Sequence, residues 1–439
     1  MRKILVCGAG HGGLAASIIL AENGFEVTVL EKAENEIMIG HEWEDRFDFS
    51  NLTGILGIKE EDLPDDIWRY RGNSVFLSPS KKTGVEISFS GDNRQKIMWR
   101  KPLISLLIKK AKESGVKILY EITVNGPVIK NGRVTGVETT DGTFSGDLII
   151  DSCGVFSVLR MNLPREYGIE CKPKYGDLFY ARRAYYDKCE DVIPDYPFEV
   201  YLYHEKEQGL SWLCTNKNSV DILIGRVYEL TDEKINEQLE IFRNEHPWTG
   251  KTILNGGQRA VIPVRRSLPL MIADGYAAVG DSAFMTMPMN GMGIDLSLNA
   301  GKLLADTLIN HRNEEFNNEV LWEYNRNFHI RYGCEAAKND GLKCAILSLP
   351  PEGVDFLFDN KIIQSSDLAG GGRNISFSTL MGKFVRGMKK PGYFFTLLKG
   401  LIHGAAVSKL YKNPPVKYNL EEISRWDEKI RRKDIKIDN

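Results

Sequence analysis

The stretch that decides the fold is Lys3-Ile4-Leu5-Val6-Cys7-Gly8-Ala9-Gly10-His11-Gly12-Gly13-Leu14, continued through Asn23-Gly24 to Phe25–Leu30 and Glu31. Lys3–Cys7 is a short apolar run, as a parallel strand covered on both faces should be. Gly8 to Gly13 breaks it. Residues 14–23 have helical periodicity and stop at Gly24, a plausible C-terminal cap. Phe25–Leu30 reads as a second strand, and Glu31 closes it 18 residues after Gly13. Strand, glycines, helix, strand and acid therefore fall in the order of a dinucleotide site. Gly8 allows the tight turn, Gly10 lets the backbone approach a pyrophosphate, and Gly13 lets the helix lie close to the sheet. Free N–H groups at the helix start, around Gly12, meet the phosphate charge. Glu31, followed by Lys32, either accepts the hydroxyls of the adenosine ribose or stays a solvated surface acid. As a ligand it disfavours a ribose phosphate, but it does not separate NAD from FAD.

That separation comes from a remote segment. Asp274-Gly275-Tyr276-Ala277-Ala278-Val279-Gly280-Asp281-Ser282-Ala283 reads as a turn, a short strand and a Gly-Asp pair. Pro288-Met289-Asn290-Gly291-Met292-Gly293 then leads into a helix predicted over Ile294–Asn310. FAD carries a ribityl chain and a ring system that need holding far from the first glycines. Asp281 can bond ribityl hydroxyls, or simply cap the segment after it. N–H groups at Gly291, Met292, Gly293 and Ile294 can face the flavin edge where reduction places negative charge.

These segments resemble the large FAD family that includes the geranylgeranyl reductases and the class A flavin monooxygenases. Asp147–Gly154, followed by Ser157 and Arg160, is similar to that family's middle motif, although Asp151 could equally end a buried strand with no ligand contact. The resemblance implies that Arg100 lies near the FAD phosphates, unless it makes an ordinary ion pair, and that the backbone of Val124, ending a strand, meets adenine. Ile262-Pro263-Val264 and the Trp of Gly209-Leu210-Ser211-Trp212-Leu213 resemble the geranylgeranyl reductase branch. The Tyr and Phe-Pro positions of that second motif are changed here, and residues 38–50 contain no Cys, so no catalytic residue is carried over. The monooxygenase branch continues its Gly-Asp motif differently from Ser282-Ala283-Phe284.

The implied fold is α/β: a Rossmann-like FAD-binding domain of the glutathione reductase and p-hydroxybenzoate hydroxylase kind, with an inserted β-rich substrate domain and a helical C-terminal region. The expected boundaries are 1–75, 96–165 and 255–310 for the FAD domain, 76–95 and 166–254 for the substrate domain, and 311–439 for the helical region. Residues 36–95 read as polar and irregular. A helix is expected over 102–114 and a strand over 117–124. Asn131-Gly132 and Asp141-Gly142 signal hairpin turns. Tyr201, Tyr203 and Trp212 are spaced to share sheet faces, where they either line a substrate pocket or pack ordinarily.

Composition narrows the classes further. The 439 residues carry 57 Lys and Arg against 59 Asp and Glu, which gives no bulk basicity for nucleic acid. No apolar run approaches the ~18 residues of a spanning helix. No signal peptide is expected at Met1-Arg2-Lys3. Seven widely spaced cysteines without a CxxC favour a reducing, cytoplasmic setting. The seven histidines show no HxxxH or HExxH spacing, so no metal site is predicted. His11, inside the glycine loop, faces either ligand or solvent. Gly370-Gly371-Gly372 reads as a flexible loop and not as a second dinucleotide motif. Phe384–Lys412 mixes apolar residues with Lys. That suits either an amphipathic helix at the inner membrane surface or a C-terminal helix packed on the body.

The function expected is an FAD-dependent oxidoreductase, passing a hydride between flavin N5 and an apolar, lipid-like substrate, with electrons from a reduced nicotinamide or a protein donor. An FAD-dependent monooxygenase and a non-catalytic redox sensor are the competing classes.

Overall fold

In the computed structural model, which describes residues 1–63, 68–70, 72–88, 96–368, 377–435 and 437, the strand Lys3–Cys7 lies inside a six-stranded sheet. It pairs in parallel with Glu26–Leu30 on one side and Leu148–Asp151 on the other. Lys117–Leu119 extends the sheet beyond Glu26–Leu30, and Tyr276–Ala278 extends it beyond Leu148–Asp151, both in parallel. Ile272–Ala273 ends it with an antiparallel pairing. Residues 4–7 are all buried, which explains why this strand reads as a continuous apolar run. The first helix spans His11–Glu22 and begins earlier than its periodicity predicts, because the small residues Gly12 and Gly13 occupy its first turn.

A three-stranded antiparallel sheet, Val124–Lys130, Arg133–Thr139 and Gly142–Ser145, sits beside this core. Asn131 and Gly132 both take positive φ (50° and 77°), as a two-residue hairpin turn demands. The single strand expected over 117–124 is corrected. Lys117–Leu119 belongs to the parallel sheet, and Val124 opens the next strand, not ends one.

The second large sheet has seven strands in the order Thr249–Pro263, Leu178–Lys188, Ser219–Arg226, Gly209–Thr215, Phe198–Leu202, Ser74–Leu77, Gly84–Ile87. Its pairings are antiparallel except Ser74–Leu77 with Phe198–Leu202. Two expected boundaries shift. The strand Thr249–Pro263 stays bonded to Leu178–Lys188 well past residue 255, and Ser74 and Val75 pair with Phe198 and Glu199. The segment expected to be irregular contains the helix Ser50–Leu56 and the strands Glu44–Asp45 and Trp68–Tyr70, which pair with Lys96–Trp99 in a small sheet.

The helix Asp232–Glu245 covers one face of the large sheet. Its Ile235, Leu239 and Phe242 pack on Ala184, Leu213, Ile222 and Ile224. The C-terminal region is helical: Asn318–Phe328, a π-turn at His329–Gly333, Cys334–Leu347, Pro351–Asp359, Phe377–Gly387, Pro391–Lys412 and Leu420–Arg431. The amphipathic helix expected over 384–412 is two helices, divided just before Pro391, which stands in the first turn of the second. Gly370–Gly372 lies outside the described residues.

Candidate cofactor and substrate site

The glycine loop packs on Ser152. Gly8 has φ +92°, and a Cβ there would stand 2.4 Å from the Ser152 carbonyl oxygen. A Cβ on Gly10 would come within 2.6 Å of Ser152 Oγ, and one on Gly13 within 2.8 Å of Ser152 Cβ. Glycine is therefore required by the protein's own packing as well as by any pyrophosphate. Glu31 is buried, and its two carboxylate oxygens accept from the N–H groups of Ala9 (2.8 Å) and Ala33 (2.9 Å). Each oxygen keeps lone-pair capacity for a ribose hydroxyl. Lys32 beside it is exposed. Ile122 N–H donates to the Glu31 carbonyl at 3.0 Å, which brings Val124, two residues on, toward Glu31.

Two helices point uncapped N-termini into this region. His11–Glu22 starts from Gly10, and Ile294–Asn310 starts from Gly293, neither with a side-chain cap. By contrast, Thr231, Asn317 and Asn419 cap the helices that follow them. Bare N–H groups at a helix start are left for an anion or a polar ligand edge. Gly280 begins a 3-10 turn that carries Asp281, and Gly291 takes φ +67°. A Cβ on Gly293 would lie 3.7 Å from Asp281 Oδ1, so the Gly-Asp turn and Gly293, with Met292 before it and Ile294 after it, are neighbours.

The family-like middle motif lies behind the loop. Asp151 is fully buried and accepts from Tyr276 Oη (2.6 Å), Ser282 Oγ (3.0 Å), Cys153 N–H (3.0 Å) and Ser157 Oγ. Arg160 donates to the carbonyls of Ser282 and Val155, with its guanidinium over the Phe284 ring. These groups fasten the Gly-Asp turn to the parallel sheet, so Asp151 is a structural hub.

Arg100 opens the helix Arg100–Glu113 and forks onto Asp45 at 2.5 and 2.8 Å. Its guanidinium also lies 5.8 Å over Trp43, on which His41 stacks at 4.6 Å. Burial pushes the Asp45 carboxyl up, but Arg100 holds it below its ordinary value. Burial and the Arg100 charge lower both His11 and His41 to about 4. Burial raises Asp281 to about 6, which Arg100 partly opposes. His11 thus faces this charged cluster. Trp43, His41 and Asp45 have no sequence motif of their own. Their only signal is the pairing of Glu44–Asp45 with Trp99 and Met98, which tertiary structure alone supplies.

Across the cluster stands the second sheet. Arg183 forks onto Asp221 at 2.8 and 2.7 Å, both nearly fully buried, and donates to the Glu44 carbonyl at 2.6 Å. Tyr185 Oη accepts from Glu44 N–H at 3.0 Å. Trp212 lies under the Arg183 guanidinium (5.2 Å) and joins Trp43, Trp99, Tyr185 and Leu223 in one apolar cluster. Tyr201 and Tyr203 are corrected. Tyr201 pairs with Ser211, so it points to the opposite face from Trp212. There it stacks on His204 and bonds Nε2 of His246 at 2.9 Å. Tyr203 donates to the Ile346 carbonyl within the C-terminal core. Ring nitrogens of His11, Trp43 and Trp212 are buried without a protein partner along the cluster. Groups of this kind are ordinarily met by water or by a ligand. Among the described residues no group of metal-ligating side chains gathers.

The fold, with its parallel sheet, glycine loop and Gly-Asp turn, is similar to that of FAD-dependent oxidoreductases. A geranylgeranyl bacteriochlorophyll reductase-like protein from Thermoplasma acidophilum matches with a TM-score of 0.72 at 18% identity, over 91% of this chain and 99% of that one. A halogenase solved in complex with FAD matches with 0.61 at 12% identity, over 98% and 96%. In sequence, the chain is 23% identical over 434 residues to digeranylgeranylglycerophospholipid reductase of Sulfolobus acidocaldarius, covering 94% of this chain and 93% of the relative. It is 25% identical over 358 residues to FixC of Escherichia coli, covering 75% and 81%. No family model matches the chain. These likenesses bear out the resemblance read from the motifs. The chain is similar in sequence to a geranylgeranyl-lipid reductase and in fold to FAD-dependent enzymes.

Proposed function

We propose that the chain is an FAD-dependent oxidoreductase that reduces a carbon–carbon double bond in an apolar, lipid-like substrate. The observation that supports this reading is the apolar cluster of Trp43, Trp99, Trp212 and Leu223, which adjoins the Arg100–Asp45 pair whose charges reach His11 of the glycine loop. The uncapped helix starts, the Cβ-free loop and the orphaned ring nitrogens fit a flavin dinucleotide. Glu31 would hold the adenosine ribose, the N–H groups from Gly10 to Gly13 the pyrophosphate, and Asp281 the ribityl hydroxyls. The N–H groups from Gly291 to Ile294 would meet the ring edge. When bound, the flavin supplies hydride transfer chemistry.

The protein's own part is placement and exclusion of water. Arg100 supplies a fixed positive charge close to the phosphates while Asp45 keeps its fork oriented. His11 and His41, held neutral, add no competing charge. The Arg183–Asp221 pair braces the Glu44–Asp45 strand against the second sheet, and an apolar substrate would pack beside the partly exposed Trp99 and Trp212. Reduction of the double bond adds a hydride to one carbon and a proton to the other. No second glycine motif follows a strand in the sequence, so the electrons would come from a transiently docked reduced nicotinamide or a protein donor and not from a nucleotide held on a domain of its own.

The test is anaerobic. Photoreduced holoprotein is mixed with a geranylgeranyl lipid or with its saturated counterpart. Return of the oxidised flavin spectrum with the unsaturated lipid alone supports the proposal. Reoxidation by neither lipid, but rapidly by oxygen, overturns it.

A further inference from the structure

The C-terminal helices carry a surface that the flavin site does not use. Between Asp367 and Glu421 the sequence holds nine Lys and Arg and no Asp or Glu, and of these Lys383 is buried against Asp367. That +9 stands against −11 in the rest of a chain whose net charge is −2. On the helix Phe377–Gly387 and just beyond it, Met381, Phe384, Val385 and Met388 are exposed at 45%, 43%, 65% and 43%. Their spacing of three and four residues sets them along one side of the helix. On the helix Pro391–Lys412, Phe395 and Ile402 are exposed at 50% and 58%. Phe384 and Phe394 meet edge-to-face, so the two helices adjoin where these stripes begin.

The inner side of the second helix is committed elsewhere. A Cβ on Gly400 would lie 2.3 Å from Ala345 Cβ, and one on Gly404 would lie 2.4 Å from the Lys338 carbonyl oxygen. This helix is therefore locked against Cys334–Leu347, and its outward stripe is fixed in direction. Exposed Lys389 and Lys390 stand at the elbow between the helices, and exposed Lys399 lies one turn beyond Phe395. Exposed Phe, Met and Ile bordered by lysines, with no acid in the stretch, match a layer that is apolar inside and anionic outside. No described helix is long and apolar enough to cross a membrane.

We propose that this elbow, from Met381 to Ile402, docks the protein peripherally on an anionic lipid bilayer. The apolar stripe enters the acyl boundary, and Lys389, Lys390 and Lys399 meet the headgroups. The proposal does not depend on the flavin reading, because the surface is built from other elements.

The experiment is co-sedimentation of the full-length protein with phosphatidylcholine vesicles, with and without phosphatidylglycerol, at low and high salt. The protein should pellet with the anionic vesicles, and release by salt is expected. Lys389→Gln with Lys390→Gln should lower partitioning by about tenfold or more. Phe395→Ser with Ile402→Ser should lower it comparably, at unchanged thermal midpoint because both residues are exposed. Ile193→Ser, a change at a still more exposed apolar residue on a loop outside the elbow, should leave partitioning unaltered. Equal pelleting with neutral vesicles, no pelleting at all, or a concentration-dependent dimer that Phe395→Ser dissociates would each overturn the proposal. Flavin content, read on the same samples, reports separately on the proposed function.

Discussion

Gly12 and Gly301 touch across two helices. A Cβ placed on Gly301 would lie 2.3 Å from the Gly12 carbonyl oxygen, and one on Gly12 would lie 2.8 Å from the Ser297 carbonyl oxygen. The helices His11–Glu22 and Ile294–Asn310 are thus held at backbone contact. Their uncapped N-termini belong to one rigid pair, which fixes the distance between the pyrophosphate and flavin ends of the proposed cradle.

Gly301→Ala should force that pair apart. We expect a loss of about 1–3 kcal/mol in stability, the range of overpacking, measured by urea unfolding. FAD affinity should fall with it, although residue 301 touches no ligand. An alanine variant with parental stability would show that the helices are not held at backbone contact.

Asp281 links stability to pH. Its carboxyl, ordinarily at 3.8, is raised to about 6 by burial. The folded state therefore holds this proton more tightly than the unfolded chain. The resulting stabilisation is full below 3.8 and is lost as pH rises through about 6, by about 3 kcal/mol at most. Asp281→Asn should be more stable than the parent above that pH and equal to it in strong acid. It should also bind FAD about tenfold more weakly, from the loss of a charged acceptor. Denaturant midpoints across pH, with flavin titration, check both halves.

The buried histidines act with the opposite sign. His11, His41 and His329 are lowered from 6.5 to about 4, chiefly by burial. The unfolded chain takes up their protons first, so stability is intact above 6.5 and falls as pH drops toward 4. Three such groups outweigh Asp281. The apoprotein should lose several kcal/mol over this interval, and the loss should steepen in Asp281→Asn.

Arg100→Met removes the fork from Asp45 and leaves a half-buried carboxylate unpaired. The expected cost is about 1–2 kcal/mol. His11 and His41 should titrate nearer their ordinary value, read by proton NMR, and FAD should bind less tightly. Adding Asp45→Asn should return stability and leave the binding defect, which separates the structural pair from the phosphate charge.

The parallel core was legible because its signals are local. The run Lys3–Cys7, the glycines and Glu31 each follow from backbone rules that act within a few residues. The helix Ile294–Asn310 was legible for the same reason. What escaped depended on partners distant in sequence. Tyr201 and Trp212 share residue types and spacing, yet the register Tyr201↔Ser211 sends them to opposite faces. The strand Glu44–Asp45 is two residues long and exists only against Trp99 and Met98. Thr249–Pro263 crosses the expected boundary because Leu178–Lys188 continues to bond it. Gly301 carried no motif at all, since its need for a missing side chain is created by a helix almost 300 residues earlier.

The most direct measurement is the visible spectrum and cofactor content of the full-length protein, purified and then incubated with FAD, with FMN and with NAD. The account predicts a yellow protein that retains FAD in equimolar amount after gel filtration and retains neither FMN nor NAD. A colourless protein, or one that keeps NAD and not FAD, would contradict it.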